Sequence, residues 1–335
     1  MHSIFVTRKI PEEGLEILRA CCEVEIFEAD RMPTKQEIIK HARDKEGLLC
    51  LLTDTIDREV MDACPRLRAI STYSAGVNHI DISYATQKKI IVTNAPAALT
   101  ETTADLAFAL LLAVARRIPE SDRFMRERKF NGWAPMLMLG HDVYGKTIGI
   151  VGAGKIGTAV ARRAKGFSMK ILYYSRKQNS EIEAMGGIKK DIDELCAESD
   201  FVSLHVPLSQ ETYHIIDERR LRLMKKTAFL INTSRGQCVD ENALVRCLKE
   251  GVIAGAALDV FEFEPRVSEE LYEMENVVLT PHIGSATLAT RRNMAIMAAE
   301  QLVKALRGER PEYVVNPGVL GSESRSISEE ISCEL

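Results

Sequence analysis

The 335-residue sequence has no long apolar run and no excess of positive charge. No segment approaches the roughly 18 apolar residues that a membrane-spanning helix requires, and the N-terminus lacks the apolar core of a signal peptide. A formal net charge of −4 offers no basic surface to nucleic acid or to an anionic membrane. These absences predict a cytoplasmic protein without nucleic-acid or membrane partners.

Cysteine and histidine are present, but not in the spacings that bind metals. The eight cysteines are scattered, Cys21 stands next to Cys22, and no C-x-x-C pair occurs. No two histidines have metal-ligand spacing with a third ligand nearby. In a reducing cytosol such cysteines are expected to be small buried hydrophobic residues. The sequence therefore predicts neither a metal site nor a disulfide framework.

A regular alternation of strand and helix patterns runs through the chain. The length suits two domains, and 46% hydrophobic with 27% charged residues is the composition of a globular protein. Apolar runs suited to buried strands lie at residues 4–6, 24–27, 47–52, 67–73, 90–92, 148–151, 169–174, 201–204, 228–231, 253–258 and 277–279. Strands that alternate with helices predict an α/β protein with parallel sheets covered on both faces.

Two long helical patterns, at residues 99–117 and 286–306, link the predicted domains. We predict two doubly wound parallel-sheet domains, of which one is a Rossmann NAD(P)-binding domain and the other a flavodoxin-like substrate domain formed from both chain ends. The predicted boundaries are 1–99 and 286–317 for the substrate-binding domain, 100–285 for the dinucleotide-binding domain, and 318–335 for a mobile tail rich in serine and acids.

A glycine motif supports the assignment of the dinucleotide domain. The strand pattern Ile148 to Val151 ends in Gly152-Ala-Gly154-Lys-Ile-Gly157, and a helical pattern follows. The first glycine permits a sharp turn, the second lets backbone approach a pyrophosphate, and the third lets the helix pack closely on its strand. The helix N-terminus stabilises an anion without a charged side chain. Because a second strand follows at residues 169–174, we predict dinucleotide binding and not a purely structural turn.

The residues after that second strand distinguish NAD from NADP. NAD-binding domains of this type place Asp or Glu there for the ribose 2′-hydroxyl, whereas this chain has Ser175, Arg176 and Lys177. A hydroxyl and two cations would bind a 2′-phosphate, which an acid would repel. NADP(H) is therefore the predicted cofactor, with NAD(H) as the second choice. The alternative is that Arg176 and Lys177 belong to an ordinary solvated loop.

Polar side chains follow three successive strands in the second half of the chain. Arg235 follows the strand at 228–231, Asp259, Glu262 and Glu264 follow the strand at 253–258, and His282 follows the strand at 277–279. Ligands of open parallel sheets bind beyond the carboxyl ends of the strands, so these side chains are expected to meet beside the nicotinamide. Arg235 can hold a carboxylate with two parallel hydrogen bonds, and His282 can protonate an oxygen as hydride reaches the carbon.

Glu264 would favour the imidazolium, raising the pKa of His282 and fixing its orientation. The set predicts hydride transfer to a 2-oxo acid. Taken singly, each residue has a structural explanation: Arg235 could pin a loop, His282 could be a capped surface residue, and Glu264-Pro265 could form a simple turn.

Two loops offer further candidate contacts. The segment 72–78, TYSAGVN, follows a strand and can present backbone N–H groups to an anion, although a plain strand-to-helix turn explains it as well. The segment 130–140 is apolar, loop-like and carries Trp133, the single tryptophan. Either a subunit interface or packing in the core of the monomer would account for it.

Taken together, these motifs resemble the D-isomer-specific 2-hydroxyacid dehydrogenases. The matching blocks, within residues 1–317, are Thr103-Ala-Asp105, Gly152 to Gly157, His205-Val-Pro207, Asn232 to Gly236, Ala257-Leu-Asp259-Val, Glu264-Pro265 and Pro281-His282-Ile-Gly-Ser285. Within the family, the segments FVTRKIP, LTETTADLAFALLLAVARRIPE and PHIGSAT are most similar to glyoxylate/hydroxypyruvate reductases.

The resemblance implies roles for individual residues. The catalytic residues would be Arg235, Glu264 and His282. The cofactor contacts would be Thr103, Gly152, Ala153, Gly154, Lys155, Ile156, Gly157, Ser175, Arg176, Lys177, His205, Pro207, Thr233, Ser234, Arg235, Asp259, His282 and Gly284, with Asp259 on the nicotinamide carboxamide. The substrate contacts would be Ala75, Gly76, Arg235, His282 and Trp133. Family members are dimers paired through the nucleotide domains, so a homodimer is expected, with Trp133 reaching the partner's active site.

The expected reaction is the NADPH-dependent reduction of glyoxylate to glycolate, together with hydroxypyruvate to D-glycerate. Three alternatives remain open from the sequence. A D-2-hydroxyacid dehydrogenase of broader specificity would accept larger 2-oxo acids. A phosphite dehydrogenase shares much of the fold but carries a lysine where this chain has Ala75. A corepressor-like binding protein would use the same fold to sense NAD(H).

Overall fold

The computed structural model describes residues 1–320, so residues 321–335 of the predicted tail lie outside the described part. The described chain forms two compact units. The first consists of Met1–Leu99 with residues 287–320, and the second is Thr100–Ala286. All the named strands pair in parallel, and helices cover both sheets. The predicted α/β class with two parallel-sheet domains is confirmed.

The first unit contains a five-stranded sheet. Its strands are β1 (His2–Val6), β2 (Cys22–Ile26), β3 (Gly47–Cys50), β4 (Ala69–Thr72) and β5 (Ile91–Thr93). Its helices, numbered along the whole chain, are α1 (Glu12–Cys21), α2 (Lys35–Ala42), α3 (Arg58–Ala63), α4 (Ile82–Gln87) and α13 (Leu288–Arg307), with a 3-10 turn at Pro317–Val319. The strand order β2-β1-β3-β4-β5 is the flavodoxin-like order that we predicted.

Helices α1 and α13 pack against each other and against the first sheet. The contact is close at Gly14, where an added Cβ would lie 2.7 Å from the carbonyl oxygen of Ala295. Helix α13, near the C-terminus, contacts β3, β4 and β5. Both ends of the chain therefore build one hydrophobic core, because the sheet of N-terminal strands needs the C-terminal helix to cover one face.

The second unit contains a seven-stranded sheet. Its strands are β6 (Thr147–Val151), β7 (Lys170–Tyr174), β8 (Ile188–Lys189), β9 (Phe201–Leu204), β10 (Phe229–Asn232), β11 (Gly255–Leu258) and β12 (Val277–Leu279). Its helices are α5 (Thr100–Ala115), α6 (Ile118–Arg126), α7 (Lys155–Gly166), α8 (Ser180–Ala184), α9 (Ile192–Glu198), α10 (Glu218–Leu223), α11 (Glu241–Lys249) and α12 (Glu269–Glu273), with a 3-10 turn at Gly236–Cys238. The strand order is β12-β11-β10-β9-β6-β7-β8.

Alternate residues of the central strands point to two separate cores. Ile150 and Ile231 belong to a cluster that includes residues of α5 and α7. Their neighbours Val151 and Leu230 belong to another cluster, with residues of α9, α10 and α11. Since successive side chains of a strand face opposite sides of the sheet, a continuous apolar run buries both faces. This is the reason that these strands carry apolar runs without polar alternation.

No helix in residues 1–320 is long and apolar enough to span a bilayer. Within the same residues, no group of three His, Cys, Asp or Glu side chains is arranged to hold a metal ion.

Candidate active site

The polar segments of the second unit meet along one edge of its sheet. All seven strands are parallel, so the segments that follow them leave from the same edge. The chain order reverses between β6 and β9, which is where open α/β sheets bind ligands. Gly152 follows β6 and His205 follows β9. An added Cβ on Gly152 would lie 2.6 Å from the carbonyl carbon of His205, so the glycine motif lies at the reversal.

The three glycines of the motif have three different environments. Gly152 has a φ of 103°, a conformation that a residue with a side chain rarely adopts. A Cβ on Gly154 would meet no atom within 4 Å, so this backbone is open to a ligand. A Cβ on Gly157 would collide with the carbonyl oxygen of Gly152. These environments fit a turn, an approach point for a pyrophosphate and a close helix contact, so the site fits a dinucleotide.

Helix α7 begins directly after Gly154, which as N-cap has no side chain to accept from the first turn. Its first backbone N–H groups therefore remain available to an anion. The side chain of Asn179 is hydrogen-bonded to the glycine motif and to the first turn of α7. It donates from Nδ2 to the carbonyl oxygen of Ala153 (2.8 Å) and to Oγ1 of Thr158 (2.9 Å). This role of Asn179 was not predicted from the sequence, because the two partners of its Nδ2 are 26 and 21 residues away, and locally Asn179 only caps α8 by accepting from the N–H of Ile182 (2.9 Å).

Ser175 and Arg176, two of the three residues that were predicted to select the cofactor, line a surface cavity of about 460 Å³, whereas Lys177 is not part of its lining. Its lining is Tyr174, Ser175, Arg176, Lys189, Lys190, Asp191 and Glu194. Lys190 is paired with Glu198 (2.8 Å) and Glu194 (3.5 Å). Within residues 1–320, no ion pair involves Arg176 or Lys189, and the Nζ of Lys189 lies 3.4 Å from the carbonyl oxygen of Arg176. Arg176 and Lys189 thus lie at one cavity without an ion pair among residues 1–320, although the carboxylates of Asp191 and Glu194 line the same cavity and the charge of Arg176 acts on Glu211.

His205 is half-buried and its backbone lies against Gly152 of the glycine motif. Its Nε2 lies 2.8 Å from Oγ of Ser203, and its Nδ1 is shielded from solvent and has no hydrogen-bond partner. Burial lowers the pKa of the His205 imidazole to about 3. The ring is therefore neutral at pH 7. Pro207, two residues further on, is exposed. Contacts of His205 and Pro207 with a cofactor stay a prediction.

His282 and Glu264 are in direct contact, 18 residues apart in sequence. Nδ1 of His282 lies 3.0 Å from Oε2 of Glu264, and Oε1 of Glu264 accepts from the backbone N–H of Phe261 (3.0 Å). Burial alone would raise the pKa of Glu264. The hydrogen bond and charge of His282 and the Phe261 N–H outweigh this effect and lower that pKa below its ordinary value. The carboxylate is thus ionised and fixes the ring through Nδ1, which leaves Nε2 to donate a proton.

Asp259 holds the loop that carries His282. Its Oδ1 accepts from Oγ1 of Thr280 (2.6 Å) and from the N–H of Ile283 (2.8 Å), and its Oδ2 accepts from the N–H of Gly284 (2.8 Å). Burial raises the pKa of Asp259, and these hydrogen bonds only partly oppose the rise. His282 itself has a φ of 55°, a left-handed conformation. The carbonyl oxygen of Asp259 accepts its N–H at 2.9 Å, so this one residue fixes the loop at three amides.

Arg235 is a half-buried guanidinium without a carboxylate partner among residues 1–320. Its Nη1 donates to the carbonyl oxygen of Ser234 (2.6 Å), and no carboxylate of residues 1–320 lies within ion-pair distance. Burial lowers the pKa of Arg235, while the charge of Glu264 acts in the opposite direction. Two ionic groups that affect each other in this way share one site. A desolvated cation of this kind is a site for an anion of the ligand.

The turn that carries Arg235 is organised by its own side chains. Oδ1 of Asn232 accepts from the N–H (3.0 Å) and Oγ (2.9 Å) of Ser234, and Nδ2 of Asn232 donates to the carbonyl oxygen of Arg235 (3.0 Å). The buried Oγ1 of Thr233 has no hydrogen-bond partner. Because a buried hydroxyl without a partner is costly, Thr233 fits a contact with a bound cofactor.

Thr103 and Gly284 are brought together although 181 residues separate them in the sequence. A Cβ on Gly284 would lie 3.3 Å from Oδ2 of Asp259 and 3.5 Å from Cγ2 of Thr103. Both predicted contact residues therefore lie beside Asp259.

Two other predicted contact segments lie outside this cluster of side chains. Ala75 and Gly76 belong to the loop after β4 in the first unit, where Asn94 Nδ2 donates to the carbonyl oxygen of Ala75 (2.7 Å) and Ser74 Oγ to that of Gly76 (2.6 Å). Trp133 is 83% exposed, which rules out the core packing that we considered for it. The roles of Ala75, Gly76 and Trp133 in substrate binding stay predictions.

Comparison with known proteins places this chain among dehydrogenases. A family model for the NAD binding domain of D-isomer specific 2-hydroxyacid dehydrogenases matches residues 108–284. A glyoxylate reductase from Korarchaeum cryptofilum is 53% identical over 320 residues, which cover 95% of this chain and 96% of that protein.

Solved structures agree over nearly the whole chain. The TT0316 protein from Thermus thermophilus is 43% identical with a TM-score of 0.88, covering 93% of this chain and 99% of that one. An NADPH-dependent glyoxylate/hydroxypyruvate reductase from Sinorhizobium meliloti, solved with NADP and malonate, is 31% identical with a TM-score of 0.84, covering 94% and 96%.

Proposed function

This chain belongs to the D-isomer specific 2-hydroxyacid dehydrogenases, and we propose that it reduces glyoxylate to glycolate and hydroxypyruvate to D-glycerate with NADPH. As a member of this family it is an oxidoreductase that acts on CH–OH groups with a nicotinamide cofactor. The observation that carries the proposal is the half-buried guanidinium of Arg235, which has no ion pair with a carboxylate of residues 1–320, near the His282–Glu264 pair.

In the proposed mechanism Arg235 binds the carboxylate of the 2-oxo acid with two parallel hydrogen bonds. When bound, the reduced nicotinamide supplies the hydride that is added to the carbonyl carbon. His282 donates the proton on Nε2 to the carbonyl oxygen, so that C=O becomes CH–OH. Glu264 accepts from Nδ1 of His282 and so holds the ring with its Nε2 as the proton donor. Asp259 keeps His282 in position through the loop 280–284.

The preference for NADPH is supported by the charge around Ser175 and Arg176. The structure has no acid at residues 175–177, and Arg176 and Lys189 lie at the same cavity without ion-pair partners among residues 1–320. A 2′-phosphate would pair with these cations and accept from the Ser175 hydroxyl. The NADPH-dependent reductase from Sinorhizobium meliloti supports the same choice.

Glyoxylate is proposed as substrate because the relatives that are about half identical over 95% of the chain are named glyoxylate reductases. Both proposed substrates present a carboxylate next to a carbonyl group, which is the pattern that Arg235 and His282 would bind.

We also propose a homodimer. Phe130, Trp133, Met136 and Leu139 are 48%, 83%, 76% and 53% exposed, and four large apolar side chains in one short segment are typical of an interface. The segment is anchored at its end, where the N–H of His141 donates to the carbonyl oxygen of Ala115 (2.8 Å).

The test is a panel of 2-oxo acids assayed with NADPH and with NADH, following the loss of the reduced cofactor. We expect the highest kcat/KM for glyoxylate with NADPH, hydroxypyruvate next, and lower values for acids with larger side chains. Equal rates for long-chain 2-oxo acids would show a broad D-2-hydroxyacid dehydrogenase. No oxidation of either cofactor with any acid would contradict the proposed function.

A further inference from the structure

We propose that two buried glutamates, Glu241 and Glu262, are positioning residues for proton transfer, because they hold the turn that carries Glu264. The proposal rests on the proposed function, in which Glu264 orients His282. Neither Glu241 nor Glu262 lies in the cluster of Arg235, Glu264 and His282. We call residues 262–268 the glutamate turn.

The two carboxylates bind each other's backbone. The N–H of Glu241 donates to Oε2 of Glu262 (3.1 Å), and the N–H of Glu262 donates to Oε2 of Glu241 (2.9 Å). The second oxygen of Glu241 accepts from both the N–H (3.0 Å) and the Oγ (2.6 Å) of Ser268. Glu241 therefore binds both ends of the glutamate turn, and Glu264 lies between them.

Glu262 connects the same turn to two further segments. Its Oε1 accepts from Nε2 of His214 (2.7 Å) and, at 3.4 Å, from the hydroxyl of Tyr213. Nε2 of Gln237 donates to its carbonyl oxygen (2.9 Å). A Cβ on Gly236 would collide with the backbone of Phe261, so the segment after Arg235 packs directly on the start of the turn.

Stability alone does not account for this arrangement. Glu241 is 3% and Glu262 6% exposed, and burial of two carboxylates is costly even when each is hydrogen-bonded. Well-packed apolar residues often serve stability as well or better. What the carboxylates add is geometry: four hydrogen bonds of Glu241 and Glu262 fix the turn at both ends, and the Oε2 of Glu264 then faces His282.

The kcat of a double variant, Glu241→Gln with Glu264→Gln, separates this positioning role from a purely structural one. We expect Glu241→Gln to lower kcat on the order of 10- to 100-fold, because its amide group cannot accept from both ends of the turn. KM for the 2-oxo acid and Kd for NADPH should stay within about twofold, because Arg235 and the glycine motif are untouched. In a Glu264→Gln background, Glu241→Gln should lower kcat no further, since Glu264 no longer acts on the histidine.

Asp240→Ala is the matched control. Asp240 is the neighbour of Glu241 and caps α11 by accepting from the N–H of Ala243 (2.9 Å), but its side chain has no hydrogen bond to the glutamate turn within residues 1–320. It should lower stability and leave kcat unchanged. Should Glu241→Gln fail to fold, Ser268→Ala removes one hydrogen bond to Glu241 and is expected to lower kcat in the same direction.

A second readout does not depend on turnover. The groups whose charges act on His282 are Glu264 and Asp259, with Arg235 acting on Glu264. In protein labelled at histidine carbon, the His282 ring signal, assigned by its loss in His282→Gln, should shift in Glu241→Gln and not in Asp240→Ala. An unchanged signal, or additive losses of kcat in the double variant, would overturn the positioning role. Failure of the wild type to reduce any 2-oxo acid would instead overturn the proposed function.

Discussion

Arg235 shows how a single half-buried charge indicates an anionic ligand. A guanidinium that has lost part of its hydration and has no carboxylate partner in the described part of the chain is costly to hold in the folded protein. A substrate carboxylate would supply the missing charge with two parallel hydrogen bonds. The pair of His282 and Glu264 nearby supplies an oriented proton donor. At this scale the proposed chemistry depends on Arg235 and on the hydrogen-bonded pair of His282 and Glu264, whose charge acts on Arg235.

His282→Ala tests the proton donor. We expect kcat to fall on the order of 10² to 10⁴-fold, because a positioned acid contributes about that much, while Kd for NADPH stays unchanged. The control is His2→Ala, because His2 Nδ1 pairs with Glu46 at the same 3.0 Å in the other unit. Single-turnover kinetics would measure the rate of the chemical step, and fluorescence titration would measure Kd for NADPH. If kcat of His282→Ala equalled that of the wild type, His282 would not be the proton donor.

Arg176→Ala tests the choice of cofactor. Loss of the cation should raise KM for NADPH by about tenfold or more and leave KM for NADH nearly unchanged, because only NADPH carries the 2′-phosphate. Arg222→Ala, an exposed arginine paired with Glu218 and Glu250, is the control. Binding of 2′,5′-ADP by calorimetry checks the same effect without turnover. Equal changes for both cofactors would disprove the assignment.

At the scale of elements, strand β6, the glycine motif and helix α7 form the unit on which cofactor binding depends. The glycines at positions 154 and 157 differ in what surrounds them. An added Cβ meets open space at Gly154 and the carbonyl oxygen of Gly152 at Gly157. The first position is therefore open to a ligand, and the second is closed by the fold.

The two alanine variants should separate binding from stability. Gly154→Ala should keep the melting temperature, because its φ of −82° suits alanine, and should weaken NADPH binding about tenfold or more. Gly157→Ala should lower the melting temperature, because its methyl group collides with backbone in the absence of any ligand. Calorimetric titration measures Kd for NADPH, and thermal unfolding measures the melting temperature. A tight NADPH complex of Gly154→Ala would show that no pyrophosphate lies there.

At the scale of the whole molecule, the exposed apolar segment 130–140 predicts association. Met136→Glu places a charge in that segment and should convert the proposed dimer to a monomer in sedimentation velocity. Tyr272→Glu, at another exposed aromatic residue (61%), should leave the assembly unchanged. If wild-type protein sediments as a monomer at micromolar concentration, the dimer proposal is wrong.

Acid sensitivity is a second property of the whole molecule. The pKa of His205 is about 3 in the folded protein, well below its ordinary value, so only the unfolded chain takes up this proton as the pH falls. The contribution of the neutral His205 ring to the free energy of unfolding is fully present above about pH 6.5 and is lost as the pH falls toward 3. Between pH 7 and pH 5 we expect His205 to lower the free energy of unfolding by about 1 kcal/mol, a value that allows for the partial exposure of the residue to solvent.

His205→Gln should remove this part of the acid sensitivity. Urea denaturation followed by circular dichroism at both pH values measures it, and His2→Gln on the surface is the control. If the free energy of unfolding of His205→Gln depended on pH in the same way as that of the wild type, the lowered pKa of His205 would be contradicted.

The elements and their order could be predicted from the sequence, because continuous apolar runs, helical spacing and the glycine motif are local patterns that short stretches of chain impose. Arg235, Glu264 and His282 could be predicted as neighbours because parallel strands end at one edge. Asn179, Glu241 and the role of Asp259 could not, since their partners are brought to them only by folding.

The sequence alone determined the parallel α/β architecture, the glycine motif and the residue types available for chemistry. Only the tertiary structure decided that the Arg235 guanidinium has no ion pair with a carboxylate of the described residues 1–320, that His282 faces Glu264 through Nδ1, and that Trp133 is exposed. The physical reason is that hydrogen bonds and burial depend on distances between segments far apart in the chain, which local propensity does not encode.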